Sequence, residues 1–124
     1  MCTRNELKTI LTEISQTAKS ILGNKLDSVI LYGSYARGDY DSESDIDIMI
    51  LTDIPREQLC NYKSDFTHLT SELGLKFDIV VTITLKDTET FNKYLNVVPF
   101  YQAIKKEGVP VAVCGIFRFI QTKT

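Results

Sequence analysis

Residues 31–50 constrain the fold of this chain more than any other segment, because they join a turn of small residues to two alternating carboxylates. The segment reads LYGSYARGDYDSESDIDIMI, so ten residues separate the pair Gly33-Ser34 from Asp45, and Asp47 follows two positions later. Apolar runs typical of β-strands flank the segment on both sides. Isoleucines alternate with the two aspartates, so the second strand presents an apolar face and a carboxylate face.

These two halves supply what phosphate chemistry needs. The backbone N–H groups of a turn at Gly33 and Ser34 can face phosphate oxygens. Two carboxylates on one side of a strand can hold divalent cations, Mg²⁺ first among them. Arg37 would add positive charge at the same end. The segment therefore predicts a site for a nucleotide and for metal.

Hydrophobic periodicity predicts an alternation of helices and strands along the rest of the chain. A capping box (Thr3 and Glu6) begins the first helix, and Gly23 ends it. The alternation predicts an α/β (α+β) domain with a small mixed sheet and helices packed on one face. The predicted helices span 4–22, 55–73 and 87–108 with an interruption at Pro99, and the predicted strands span 26–32, 45–51, 75–84 and 109–114.

A third carboxylate is predicted on the strand 75–84. Phe77 and Ile79 take the core side of that strand, which leaves Asp78 on the open face together with Asp45 and Asp47. Three carboxylates on one face repel one another unless cations compensate them. The predicted metal ligands and catalytic residues are therefore these three aspartates.

Composition narrows the possible partners. The 124 residues predict one domain, 1–124, and the net charge of −2 argues against a general electrostatic grip on nucleic acid. No apolar run approaches the roughly 20 residues of a membrane span, so no membrane partner is expected. The three widely spaced cysteines fit no disulfide framework and favour a cytoplasmic location.

Residues 115–124 are interpreted as an extra edge strand or a tail that docks a partner. Tyr35 and Tyr40 flank the site, where they would stack on a base or pack within the fold.

The residues of this segment also have a family likeness. The run GSYARG at 33–38, with SDID at 44–47, resembles the signature of the DNA polymerase β-like nucleotidyltransferase superfamily. The chain length resembles that of its minimal nucleotidyltransferase (MNT) group, the antitoxin type of HEPN/MNT pairs. Weaker similarity extends over 76–80 and 104–109.

The resemblance implies a polymerase β-like fold, ATP as donor, two Mg²⁺ ions, and transfer of AMP to a hydroxyl with release of pyrophosphate. It implies that Asp45 and Asp47 bridge both metals, and that Asp78 binds the metal facing the acceptor and helps to take its proton. Ser34 would contact the β- and γ-phosphates of the donor. Arg37 would bind the nucleotide too, or pair instead with a carboxylate such as Asp39 or Asp41.

The sequence leaves the acceptor of the nucleotide open. A chain of 124 residues leaves no room for an acceptor domain, which favours an acceptor on another protein. The resemblance to the antitoxin type of HEPN/MNT pairs implies that this acceptor is a tyrosine of a HEPN-type toxin. Two alternatives stay open: adenylylation of a small molecule of the aminoglycoside type, and a non-catalytic antitoxin that neutralises its partner by binding.

Overall fold

The computed structural model describes residues 3–111, and within that range five α-helices surround a four-stranded sheet. Two 3₁₀ segments, Gly23–Lys25 and Arg56–Tyr62, precede β1 and α3 respectively. The α-helices are α1 (Arg4–Leu22), α2 (Ser34–Arg37), α3 (Lys63–Phe77), α4 (Thr88–Lys93) and α5 (Pro99–Glu107), and the strands are β1 (Leu26–Tyr32), β2 (Ile46–Thr52), β3 (Val81–Asp87) and β4 (Val109–Pro110).

The sheet is mixed, as the sequence predicts. Its strand order is β3-β2-β1-β4. The pairs β1–β2 and β1–β4 are antiparallel, whereas β2 and β3 run parallel. A parallel pair needs a long crossover connection, and the segment that contains α3 provides it. The first residues of β2 and β3 therefore lie at the same end of the sheet.

The main core lies between the sheet and helices α1 and α3. Ile46, Ile48 and Ile50 of β2 are completely buried there, which confirms the predicted apolar face. From α1, Ile10 and Ile14 pack into the same cluster. The predicted capping box is present, since Thr3 and Glu6 each accept a hydrogen bond from the other's backbone N–H.

The other face of the sheet is more covered than the sequence predicts. Met49 and Leu51 point away from the main core and form a second buried cluster with Phe91 of α4 and Ile104 of α5. Helices therefore pack on both faces, and the prediction of helices on one face alone is wrong. The reason is the short connection after β3, which returns α4 and α5 across the sheet.

The predicted strand 75–84 is wrong in its first half. Helix α3 continues to Phe77, and β3 begins only at Val81. Phe77 extends the buried stripe of α3 because it follows Leu73 by four residues, a helical spacing. Gly74 does not end the helix, but its missing side chain leaves space for the Ile79 carbonyl, which would lie 3.2 Å from a Cβ atom. Asp78 takes the turn instead, in the left-handed conformation with φ 55°.

The end of the chain is described only in part. The beginning of the predicted strand 109–114 is confirmed by β4, and the Val111 N–H donates to the Val29 carbonyl at 2.8 Å. The rest of that strand and the predicted tail 115–124 lie outside the described residues. Within residues 3–111, no helix has both the length and the apolar character that crossing a membrane requires.

Candidate nucleotidyl transfer site

Asp47 occupies the open end of the second sheet face. Its neighbours Ile46 and Ile48 are buried in the main core, so the alternation of β2 turns Asp47 to the opposite side. It lies opposite Tyr32 of β1 and beside Thr82 of β3. Residues in register on adjacent strands project to the same face, so a phenol and a hydroxyl flank this carboxylate.

Gly33 brings the turn into contact with Asp47. A Cβ atom at Gly33 would overlap the Oδ2 atom of Asp47 and lie 3.3 Å from its Cγ atom. The backbone at Gly33 has φ 78° and ψ −157°, a conformation that favours glycine. A side chain is therefore excluded both by the backbone and by the carboxylate. The structure thus joins the turn and the second aspartate, which the sequence predicts to act together.

Ser34 begins the short helix α2 directly after this turn. Gly33 is its N-cap, and Gly38 ends it in the left-handed conformation, with its N–H donating to the Ser34 carbonyl at 2.9 Å. The N–H groups of Ala36 and Arg37 both donate to the Gly33 carbonyl, at 3.1 Å each. Ser34 therefore lies directly beside Gly33, as the first residue of this short helix.

Hydrogen bonds connect residues 41–44 of the loop that precedes Asp45 and β2. The Oδ1 atom of Asp41 accepts from the Glu43 N–H at 2.9 Å, and the Ser44 hydroxyl accepts from the Asp41 N–H at 3.0 Å. Asp41 is therefore occupied with the loop, and the predicted alternative in which it pairs with Arg37 is wrong. Asp45 follows Ser44 directly and is exposed.

The two aspartates of this site repel each other. Burial, together with the negative charge of Asp45, raises the pKa of Asp47 above its ordinary value, and Arg37 only partly opposes the rise. Burial also raises the pKa of the Tyr32 phenol, the nearby Asp47 adds to the rise, and a hydrogen bond with Thr84 works against it. A cation bound between the two carboxylates would relieve this repulsion.

Arg37 lies between two other carboxylates. Its Nε atom donates to Asp39 Oδ2 at 3.2 Å, and its Nη1 atom lies 3.6 Å from Glu107 Oε1 on α5. The interpretation that Arg37 pairs with Asp39 is therefore correct. Its side chain is 45% exposed, so it remains accessible to an anion.

The two carboxylates of this site could hold Mg²⁺ if water and substrate phosphates supplied its other ligands. Within residues 3–111, no group of three or more histidine, cysteine, aspartate or glutamate side chains could hold a metal ion. Mg²⁺ is commonly bound through one or two carboxylates, with water and substrate phosphates completing its coordination. Asp45 and Asp47 satisfy that requirement. Asp78 is exposed at the C-terminal end of α3, and the structure does not bring it into a cluster with them.

Sequence reasoning missed a pocket beside this site. Tyr32, Gly33 and Arg37 line a cavity of about 230 Å³ together with Phe100 and other residues of α5. The two tyrosines that flank the site in sequence do not line this cavity. The rings of Tyr35 and Tyr40 instead stack on each other, with their centroids 4.2 Å apart. No local signal connects α5 with residues 31–50, because their contacts arise only in the tertiary fold.

Comparison with known proteins agrees with this geometry. The profile of a family described as "Nucleotidyltransferase domain" matches residues 7–111. Two proteins of Methanocaldococcus jannaschii, both named as candidate protein adenylyltransferases, are similar to the chain. One is 36% identical over 104 residues, which cover 84% of this chain and 95% of the relative. The other is 42% identical over 77 residues, which cover 62% of this chain and 76% of the relative.

Solved structures share the fold. A crystal structure described as a toxin-antitoxin with AMP-PNP superposes with a TM-score of 0.54 at 21% identity, over 90% of this chain and 75% of that one. A nucleotidyltransferase-like protein of Sulfolobus solfataricus gives a TM-score of 0.52 at 24% identity, over 94% of this chain and 86% of that one. The family itself is shown by the profile match over residues 7–111 and by the relative that is 36% identical over 84% of this chain, so the chain is an enzyme belonging to the nucleotidyltransferase domain family.

Proposed function

We propose that this nucleotidyltransferase moves AMP from ATP, with Mg²⁺, to a tyrosine hydroxyl of a partner HEPN-type toxin in the cytoplasm, and thereby acts as an antitoxin. One observation carries the proposal: the Gly33 turn packs directly against the carboxylate of Asp47. The names of the Methanocaldococcus relatives support a protein acceptor. The neighbour described as a toxin-antitoxin with AMP-PNP supports the partner class and an adenine nucleotide.

The proposed reaction is a displacement at the α-phosphorus of ATP. The acceptor oxygen forms a new P–O bond, the bond to the bridging oxygen of the β-phosphate breaks, and pyrophosphate leaves. The hydroxyl proton passes to a carboxylate of the site. Gly33, Ser34 and Arg37 hold the leaving phosphates through N–H, hydroxyl and guanidinium groups. Mg²⁺ held by Asp45 and Asp47 would offset phosphate charge and lower the pKa of the attacking hydroxyl.

Asp78 enters this proposal through a local rearrangement. The Ile46 N–H already donates to the Val80 carbonyl at 2.9 Å, so the β2–β3 ladder reaches one residue upstream of β3. If residues 78–80 continue as a strand, Asp78 shares a face with Thr82 and hence with Asp47, by the two-residue alternation. Its proposed role as the carboxylate facing the acceptor requires the left-handed turn at Asp78 to extend.

The test is transfer of label to a partner protein. The full chain is incubated with ATP labelled at the α-phosphate, Mg²⁺ and the product of an adjacent gene that encodes a HEPN-type protein. We expect label on a tyrosine of that partner, located by mass spectrometry, and its loss with EDTA or with Asp47→Asn. Asp53→Asn is the matched control, because Asp53 is an exposed aspartate just beyond the other end of β2. Asp78→Asn tests the third carboxylate in the same assay.

The other outcomes identify the alternatives. Pyrophosphate release that depends on an aminoglycoside, with no label on protein, would show a small-molecule acceptor. Neutralisation of the toxin by a variant with Asp45, Asp47 and Asp78 all replaced by asparagine would show a binding antitoxin. Absence of both label and pyrophosphate release with Mg²⁺ or Mn²⁺ would refute the proposed activity.

A further inference from the structure

A pocket of about 230 Å³ opens beside the Gly33 turn, between the end of β1 and helix α5. Its apolar part is formed by Ala103 and Ile104, and by the rings of Tyr32 and Phe100, which meet edge to face at 5.5 Å. Phe100 is a large apolar side chain that remains 45% exposed. A flat hydrophobic ligand would cover this ring and continue the aromatic contact.

The rim of the pocket carries charge of both signs. Arg37 and Glu107 line it, with 3.6 Å between Nη1 of the arginine and Oε1 of the glutamate. That distance exceeds a hydrogen bond, so the carboxylate keeps its capacity to accept. The glutamate side chain is 42% exposed and can therefore meet a ligand. An aromatic slot with an acceptor at its edge suits a heterocycle that bears an amino group.

The size of the pocket selects part of a nucleotide. Sites that enclose a drug-sized ligand measure roughly 300–1,000 Å³, so this smaller pocket accommodates one ring system rather than a whole nucleotide. The position of the pocket indicates which part of the nucleotide would enter it. In an in-line displacement the acceptor oxygen lies opposite the leaving pyrophosphate. The pyrophosphate belongs at Gly33, which lines this pocket, so the acceptor must approach from the other side. The ribose and base branch sideways from the α-phosphate and are free to enter.

We propose that this pocket binds the base of the donor nucleotide, and that Glu107 makes it selective for adenine. The carboxylate accepts a hydrogen bond from the 6-amino group of adenine, whereas the 6-oxo group of guanine would present a second acceptor to it. Phe100 and Tyr32 supply the apolar contact to the ring. This inference rests on the proposed function, because it places the leaving phosphates at the Gly33 turn.

Binding measurements on the full chain separate the base from the phosphates. ATP, GTP and inorganic tripolyphosphate are titrated by calorimetry with Mg²⁺. The wild type should prefer ATP to GTP. Loss of an aromatic contact to a base should weaken ATP binding by at least about fivefold in Phe100→Ala, while tripolyphosphate binding stays the same. Glu107→Gln should reduce the preference for ATP over GTP, since an amide can also donate to a 6-oxo group.

Two further variants control for folding and for exposed aromatic surface. Tyr94→Ala removes an aromatic ring of similar exposure, 41%, that does not line the pocket, and it should bind ATP as the wild type does. Ala103→Phe fills the pocket without deleting a contact and should weaken ATP but not tripolyphosphate. Unchanged ATP binding in both Phe100→Ala and Ala103→Phe would overturn the inference. Lowered labelling of the partner at unchanged ATP affinity would also overturn it, because that result would place the acceptor in the pocket.

Failure of the proposed function gives a different result. If the Gly33 turn does not hold phosphates, tripolyphosphate will neither bind nor compete with ATP, whatever stands at Phe100. If ATP transfer and tripolyphosphate binding persist but the two pocket variants have no effect, only the assignment of the base is wrong.

Discussion

Replacement of Gly33 by alanine should lower nucleotidyl transfer by at least about 100-fold while leaving the fold intact. The added Cβ atom would overlap the Oδ2 atom of Asp47, so the carboxylate has to move away from the turn. The backbone at this position has φ 78° and ψ −157°, which an alanine adopts only under strain. Two costs therefore add: backbone strain, which lowers stability, and displacement of the carboxylate that we propose to be catalytic, which lowers activity.

The chain contains a matched control for the first cost. Gly23, at the end of α1, has φ 60° and ψ −133°, and a Cβ atom there would meet nothing within 4 Å. Strain of this kind costs on the order of 1–3 kcal/mol in either variant. For a chain of this length, each kcal/mol lowers the midpoint of thermal unfolding by roughly 3–5 °C. Gly23→Ala should show this loss of stability with wild-type turnover at a temperature where it is folded.

Gly33→Ala should show the same loss of stability and a much larger loss of activity. A misplacement of a reacting group by about 1 Å can cost about 100-fold in rate, so we expect at least that decrease in kcat/KM. The assay is pyrophosphate release at saturating partner, with folding checked by circular dichroism at the assay temperature. Turnover in Gly33→Ala equal to that in Gly23→Ala would refute the argument that Gly33 exists to make room for Asp47.

Three other substitutions test the site, the N-terminal end of α4 and the main core. Asp47→Asn should raise the unfolding midpoint at neutral pH while abolishing transfer, because burial and Asp45 raise the pKa of Asp47 and its ionised form destabilises the fold. That gain should vanish below the unfolded value near pH 4, where the carboxyl is neutral in both states, as thermal scans across pH will show. Asp87→Ala removes the N-cap of α4, where the Thr90 N–H donates to Asp87 Oδ2 at 2.9 Å, and should cost about 1 kcal/mol with no loss of transfer. Burial raises the Asp87 pKa, but the Thr90 hydrogen bonds outweigh it and leave the pKa below its ordinary value. The stability difference between Asp87→Ala and the wild type should therefore shrink as pH falls through that lowered pKa. Ile48→Ala should cost about 2–5 kcal/mol in urea unfolding, because this side chain is completely buried in the main core.

The parts of the fold that could be predicted from sequence are those with short-range signals. The alternation in β2 places isoleucines in the core and Asp47 on the other face, and the capping box fixes the start of α1. Both signals involve residues within a few positions of each other. The Gly33 turn followed by two aspartates is equally local, which is why the candidate site could be located before the fold was known.

The boundary between α3 and β3 could not be predicted in this way. The run that ends α3 alternates between apolar and polar residues, so period two and period 3.6 fit it equally well over so short a length. A glycine near a predicted helix end is typical of a C-cap, but Gly74 serves a close approach of the Ile79 carbonyl instead. The assignment of Asp78 to the carboxylate face depended on this boundary, and it stays a prediction that Asp78→Asn will test.

Residues 31–50 and helix α5 contribute to the proposed site in different ways, and this difference has a functional consequence. Every residue proposed for metal and phosphate, apart from Asp78, lies within residues 31–50, so these elements form together whenever β1 and β2 pair. The proposed base contacts come chiefly from α5, which reaches the site only through packing and through the approach of Glu107 to Arg37, 70 positions away in sequence. Substitutions on α5 can therefore change which nucleotide binds without moving Asp47. They should alter the KM for ATP and the choice between ATP and GTP more than kcat, whereas substitutions at Gly33 or Asp47 should act on kcat.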